Sequence, residues 1–63
     1  MKFNDNIKNL RLKLGFTKET VAVLMGITVS NFEKYESGKR TPPLKKAFML
    51  ANLYKVKLDD LLN

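Results

Sequence analysis

The sequence predicts an all-α fold, a compact five-helix bundle forming one domain over residues 1–63. Three observations predict it. Apolar residues recur at helical rather than alternating spacing along the chain. Gly15, Gly26, Gly38 and Pro42-Pro43 cut the 63 residues into short segments with short connections. The apolar share of 44% is enough for a small core, even with 29% of the residues charged.

The first helix is expected over residues 4–14, with Asn4 or Asp5 as its cap and Gly15 as its end. Ile7, Leu10 and Leu14 fall on one stripe, Arg11 borders it, and Leu12 points nearly the opposite way. The second helix is expected over 18–25. Thr17 is its N-cap, Glu19 sits near its positive end, and Gly26 suits the left-handed residue that closes it. Val21 and Met25 share a face flanked by Ala22 and Leu24, and Val23 faces away.

The third helix is expected over 29–36, capped by Thr28 and closed by Gly38. Phe32 and Tyr35, three apart, form its inward side, while Ser30, Asn31, Glu33 and Lys34 cover the rest. A basic loop, Lys39-Arg40-Thr41-Pro42-Pro43, follows. The fourth helix, 44–54, has the stripe Leu44, Ala47, Phe48, Ala51 and Tyr54. Leu50, Leu53 and Met49 widen it almost all round, the pattern of a helix buried on several sides. A last short helix over 58–62 offers Leu58, Leu61 and Leu62. Asp59 and Asp60 at its start read as charge set against the helix dipole rather than as metal ligands.

Composition excludes several functions. The chain has no Cys, and His is also missing, so neither a disulfide framework nor a Cys or His metal site is available. The usual general base and the thiol nucleophile are absent, Ser30 and Ser37 have no His beside them, and no glycine loop could cradle a phosphate. No catalytic residue, metal or cofactor is expected. The longest apolar run, Val21 to Met25, is far below the roughly 20 residues that a membrane span needs. The first residues hold no apolar signal segment. A cytoplasmic, nucleoid-associated protein is expected, with no membrane partner.

The charge is +6, from 12 Lys and Arg against 6 Asp and Glu. All of the excess lies in residues 1–46, and residues 47–63 are balanced. Charge alone is compatible with a solvated surface that aids solubility, with nucleic acid or with acidic lipid. Spacing narrows the choice. Ala22 is small where two helices cross, Gly26 allows a sharp reversal four residues later, and Phe32 plugs the crease. Together they describe a helix-turn-helix, whose second helix lies in the DNA major groove.

At this point the chain resembles the lambda-repressor/Cro-like, or XRE, family of helix-turn-helix domains. The resemblance runs through Ile7-Lys8-Asn9-Leu10-Arg11, Gly15-Phe16-Thr17, Val21-Ala22 and Met25-Gly26-Ile27-Thr28. It continues through Tyr35-Glu36-Ser37-Gly38-Lys39-Arg40 with Pro42, then Leu50-Ala51, and ends with Val56 to Leu62. It covers nearly the whole chain. It implies a lambda-repressor-like bundle with the helix-turn-helix at its second and third helices, and the function of a sequence-specific transcriptional regulator, a bacterial or phage repressor that occupies double-stranded operator DNA as a dimer.

Carried over residue by residue, the resemblance implies base reading by Thr28, Val29, Ser30, Glu33 and Lys34. It implies phosphate binding by Lys18, Asn31, Ser37, Lys39 and Arg40, and a structural ion pair between Arg11 and Glu36. The side chains have their own chemistry. Lys can donate to guanine O6 or N7, Ser can serve either kind of base pair, and Val can touch only a thymine methyl or another apolar group. Glu33 could accept from cytosine N4 or simply repel wrong placements. With no Arg or Gln on this helix, DNA shape should carry part of the specificity. Lys18, Lys39 and Arg40 would position the protein without reading sequence. An arginine beside an apolar stripe needs a buried partner in any case.

Self-association is expected through the loop after the third helix and the region between the last two, with Leu53, Tyr54, Val56 and Leu58 in the interface. The free dimer should be weak, or form only on DNA. Four departures from the family pattern stand out. Lys18 replaces the usual Gln, and Thr20 sits where a capping-box Glu is common. Pro43 and Lys57 replace small capping residues. Leu12, Val23 and Met49 are apolar where charge is usual, which leaves open an alternative: a protein-interaction module on the same fold, such as an antitoxin or anti-regulator, with a protein partner.

Overall fold

A computed structural model describes residues 2–62. Five helices follow one another: α1 (Lys2–Leu14), α2 (Lys18–Met25), α3 (Val29–Ser37), α4 (Leu44–Tyr54) and α5 (Leu58–Leu62). No strand occurs among the described residues. The bundle measures 24 × 23 × 20 Å. Consecutive α2 and α3 pack on each other, and α1 packs on both α3 and α5. The core is built from Ile7, Val21, Met25, Phe32, Leu50 and Leu61, all with no more than 1% of their surface exposed. Phe32 lies where α2, α3 and the rest of the core converge, so truncating it to Ala would cost about 3–5 kcal/mol.

Helix ends follow local chemistry. Thr17 and Thr28 are both extended, and their Oγ1 atoms accept from Thr20 N and Asn31 N, each at 3.1 Å. Each thus satisfies a backbone donor that a helix start leaves bare. Thr20, at the place of a capping-box glutamate, does not reach the Thr17 backbone; its Oγ1 instead accepts from Thr17 Oγ1 at 2.9 Å. Gly26, at φ 71°, closes α2, and Ile27 N reaches back to Ala22 O at 3.0 Å in the Schellman pattern. The same wrap-back ends α4, from Val56 N to Ala51 O at 3.0 Å, but its left-handed residue is Lys55, at φ 58°. Pro43 precedes α4 without any side-chain cap. Asp60 repairs the start of α5 by accepting from Lys57 N at 3.2 Å.

Three expectations need correction. α1 begins at Lys2, so Asn4 and Asp5 lie inside the helix and do not cap it. The helix extends because Phe3 packs against the core and Asn4 Nδ2 donates to Glu36 O at 3.4 Å, tying the first turn to the end of α3. α4 is not buried all round. Its buried face is Ala47, Leu50, Ala51 and Tyr54, whereas Leu44 and Phe48 are 64% and 49% exposed. Leu14 also falls outside the α1 stripe, at the exposed end of that helix. α5, only five residues long, is held by Leu61 in the core and by Asn6 Nδ2, which donates to Leu61 O at 3.0 Å.

Candidate nucleic-acid interface

The candidate site is the outward face of α3 with its two flanks. Successive residues of an α-helix are turned by about 100°. With Phe32, Tyr35 and Glu36 buried, Ser30, Lys34 and Ser37 therefore point away from the protein, and all three are exposed. α3 is held rigidly under this face. Val21, Ala22 and Met25 of α2 and Phe32 of α3 are almost wholly buried where the helices cross.

A buried ion pair fixes the inner side. Arg11 Nε donates to Glu36 Oε2 at 2.7 Å and Nη2 to Oε1 at 3.2 Å, a forked contact between side chains only 7% and 5% exposed. The third arm, Nη1, donates to Phe16 O at 3.0 Å in the link between α1 and α2. One guanidinium thereby joins α1, the α1–α2 corner and the end of α3. Its hydrogen bond to Glu36 holds Arg11 above the ordinary arginine range, against the opposing effect of burial.

Tyr54 lies close by. Its ring stacks on Phe16 with centroids 6.2 Å apart and planes 16° apart. Its hydroxyl is buried with no hydrogen-bond partner among the described residues. Burial first, and then the charge of Glu36, push its ionisation above the ordinary tyrosine range, with Arg11 opposing. Tyr54 is 2% exposed, so it is a core residue and cannot belong to a self-contact surface in this form. Leu53, Val56 and Leu58 are half-buried and pack against the same core.

The remaining site residues divide by their present partners. Thr28 is exposed and its oxygen caps α3, whereas Val29 is half-buried against the core and offers only part of its surface. Lys18 Nζ and Glu33 Oε2 are 3.5 Å apart across the α2–α3 boundary. Arg40 Nη1 donates to Asn31 Oδ1 at 2.9 Å, folding the loop back on the first turn of α3. Ser37 Oγ donates to Lys34 O at 3.2 Å, so its proton must leave the helix backbone before it can reach a phosphate. Lys39 is exposed. Lys18, Lys34, Lys39 and Arg40 thus surround a hydrophilic helix face.

Sequence reasoning missed Lys46. From α4, its Nζ donates to Met25 O at 3.0 Å and places a cation on the negative end of α2. The last turn of α2 has no basic residue of its own, which was the available signal. Among the described residues no cluster of acidic, His or Cys side chains could hold a metal, and no helix is long and apolar enough to cross a membrane.

A family model described as Helix-turn-helix matches residues 7–61. The chain belongs to this XRE-type helix-turn-helix family. The SPbeta prophage-derived uncharacterized HTH-type transcriptional regulator YonR of Bacillus subtilis is 37% identical over 60 residues, covering 95% of this chain and 56% of YonR. The HTH-type transcriptional regulator AnsR of the same species is 40% identical over 58 residues, covering 92% of this chain and 50% of AnsR. The chain therefore spans about half the length of these curated relatives. The crystal structure of the restriction-modification controller protein C.AhdI from Aeromonas hydrophila matches with a TM-score of 0.88 at 30% identity, covering 95% of this chain and 91% of that one. The XRE-type fold thus extends across the bundle, with the helix-turn-helix at α2 and α3.

Proposed function

We propose that this domain is the operator-binding part of a transcriptional regulator, a repressor of bacterial or phage origin that binds without a cofactor and catalyses no reaction. α3 enters the major groove, where Thr28, Ser30, Glu33 and Lys34 meet base edges and Val29 adds a limited apolar contact. Lys18, Asn31, Ser37, Lys39 and Arg40 meet the phosphates on either side. The observation that carries this reading is the exposed face of Ser30 and Lys34 on a helix held from behind by buried Phe32 and the Arg11–Glu36 pair. The relatives' names, HTH-type transcriptional regulators, support it.

A single module buries only about 600–1,000 Å² on DNA, so two copies are needed for tight binding. They would meet through the loop after α3 and the α4–α5 region, including Leu53, Val56 and Leu58. The work place of such a protein is the cytoplasm, at the nucleoid.

Selection of binding sites from random duplex DNA tests the whole reading. The expected product is a two-fold site with half-sites about 10 base pairs apart, bound with a steep dependence on salt. A specific observation favours one rival, a protein-binding module: Leu12 and Val23 are 58% and 75% exposed, although Met49 is half-buried. Failure to enrich any duplex at low salt, with a protein captured through Leu12 and Val23, would favour that rival.

A further inference from the structure

Two side chains of α3 already hold cations in the free protein, Glu33 through Lys18 at 3.5 Å and Asn31 through Arg40 at 2.9 Å. Two residues along a helix turn by about 200°, so these acceptors stand on opposite flanks of the outward face. Their chemistry differs. When Arg40 moves to a phosphate, Asn31 is left as a neutral amide. When Lys18 moves to a phosphate, Glu33 is left as an uncompensated anion inside the groove of a polyanion.

Lys18 carries three donors, so it can keep Glu33 while reaching a phosphate or leave it altogether. To the extent that it leaves, Glu33 needs a hydrogen-bond donor, because an ionised carboxylate only accepts. In the major groove every base pair carries one amine donor, cytosine N4 or adenine N6 (the latter beside the N7 acceptor), whereas guanine O6 and N7 and thymine O4 present lone pairs, so what counts is which base stands opposite Glu33.

We infer that Glu33 determines specificity by exclusion: it admits duplexes that place an exocyclic amine opposite it and penalises the others, with Lys18 as the counter-ion that softens this penalty where it stays. This rests on the DNA-binding reading above. Discrimination of this kind comes from a repulsive element rather than from an added attraction. The pair has little to do with folding, because its side chains are 40% and 52% exposed and a solvent-facing ion pair adds little stability. Glu33→Gln therefore keeps the fold, and a thermal melt matching that of the wild-type protein checks this.

The test uses fluorescence anisotropy on the wild-type protein, Glu33→Gln, Lys18→Gln and the double variant. Each is titrated with the selected duplex and with every single-base variant of it, over a range of salt. Glu33→Gln is expected to tighten binding to duplexes with guanine or thymine at one position by about tenfold, the size of one base contact. The readout is the ratio of affinities between those duplexes and the selected one, and preferences at other positions should persist. In the Lys18→Gln background that gain should persist or grow, because Glu33 then lacks its counter-ion. Uniform tightening on every duplex would mean that Glu33 acts only as bulk negative charge and would overturn the inference. Weakening on the selected duplex alone would also overturn it, because Glu33 would then act by attraction. Wild-type protein that binds no duplex at low salt would overturn the DNA-binding reading itself, a result visible before any substitution is made.

Discussion

Arg11 grips Glu36 through two nitrogens, at 2.7 and 3.2 Å, in a place where each side chain has lost more than nine-tenths of its surface to the protein. The pair is worth less than its distances suggest, since both charges left water to make it. Breaking one side is another matter, because the remaining charge stays buried.

Arg11→Ala is expected to destabilise the domain by about 3–5 kcal/mol. Arg11→Met keeps the packing of the aliphatic stem and should cost less, although both variants strand Glu36 and remove the donor to Phe16 O. Arg11→Met combined with Glu36→Met should recover most of the loss. Urea melts of the four proteins check the order. A Met variant less stable than the Ala variant would count against the role given to packing.

Tyr54 gives the pH dependence a definite sign. Its ionisation in the folded protein lies above the ordinary tyrosine value, first because it is buried. Below pH about 10 neither state loses the phenolic proton, and the contribution to stability is fully present. Above that pH the unfolded chain ionises first, so stability falls as pH rises. Tyr54→Phe removes this loss and also a buried hydroxyl without a partner. At neutral pH it should leave stability unchanged or raise it by up to about 1 kcal/mol. Melting temperatures of the two proteins should diverge on the alkaline side, and parallel curves would contradict the assignment.

Lys55 ends α4 at φ 58°, where side chains are disfavoured. Lys55→Gly should stabilise the domain by up to about 1 kcal/mol, after allowance for the greater freedom of glycine in the unfolded chain. Gly26→Ala should cost about 1–2 kcal/mol, for the same reason in reverse. A methyl group at Gly26 would touch nothing within 4 Å, so backbone strain alone sets that cost. Paired chemical melts measure both, and a destabilised Lys55→Gly would show that the lysine side chain does more there than close a helix.

Lys34 stands on the exposed face of α3, and Lys39 lies in the loop beyond it. Lys34→Ala is expected to relax preference at one base position, at about 1–3 kcal/mol of discrimination. Lys39→Ala should weaken all duplexes alike and lower the salt slope by about 1. Titrations against the selected duplex and its variants separate the two effects. Equal, sequence-independent losses would refute the difference in roles.

The helix count and the α2–α3 turn were legible because Thr17, Gly26, Thr28 and Gly38 act through their own backbone neighbourhoods. The start of α1 was not, because it depends on Phe3 reaching the core and Asn4 reaching the end of α3. The exposure of Leu44 and Phe48 was hidden for a related reason. Periodicity marks an apolar stripe, but the neighbouring helices decide which edge of it is covered. In the candidate site, the cations and the hydrophilic face of α3 could be read directly. The partners Lys18 and Glu33, Arg40 and Asn31, and Lys46 and Met25 O could not, since each contact spans two segments whose relative placement follows from packing.

The attachment of α5 to α1 has a consequence during synthesis. Leu61 has no exposed surface, and Asn6 bonds to its carbonyl across 55 positions of sequence. A nascent chain that has released only the first four helices still lacks the wedge that seals the inner face of α1. The core of the domain is therefore complete only when α5 is present beside α1, so the two outer helices of the bundle close it together.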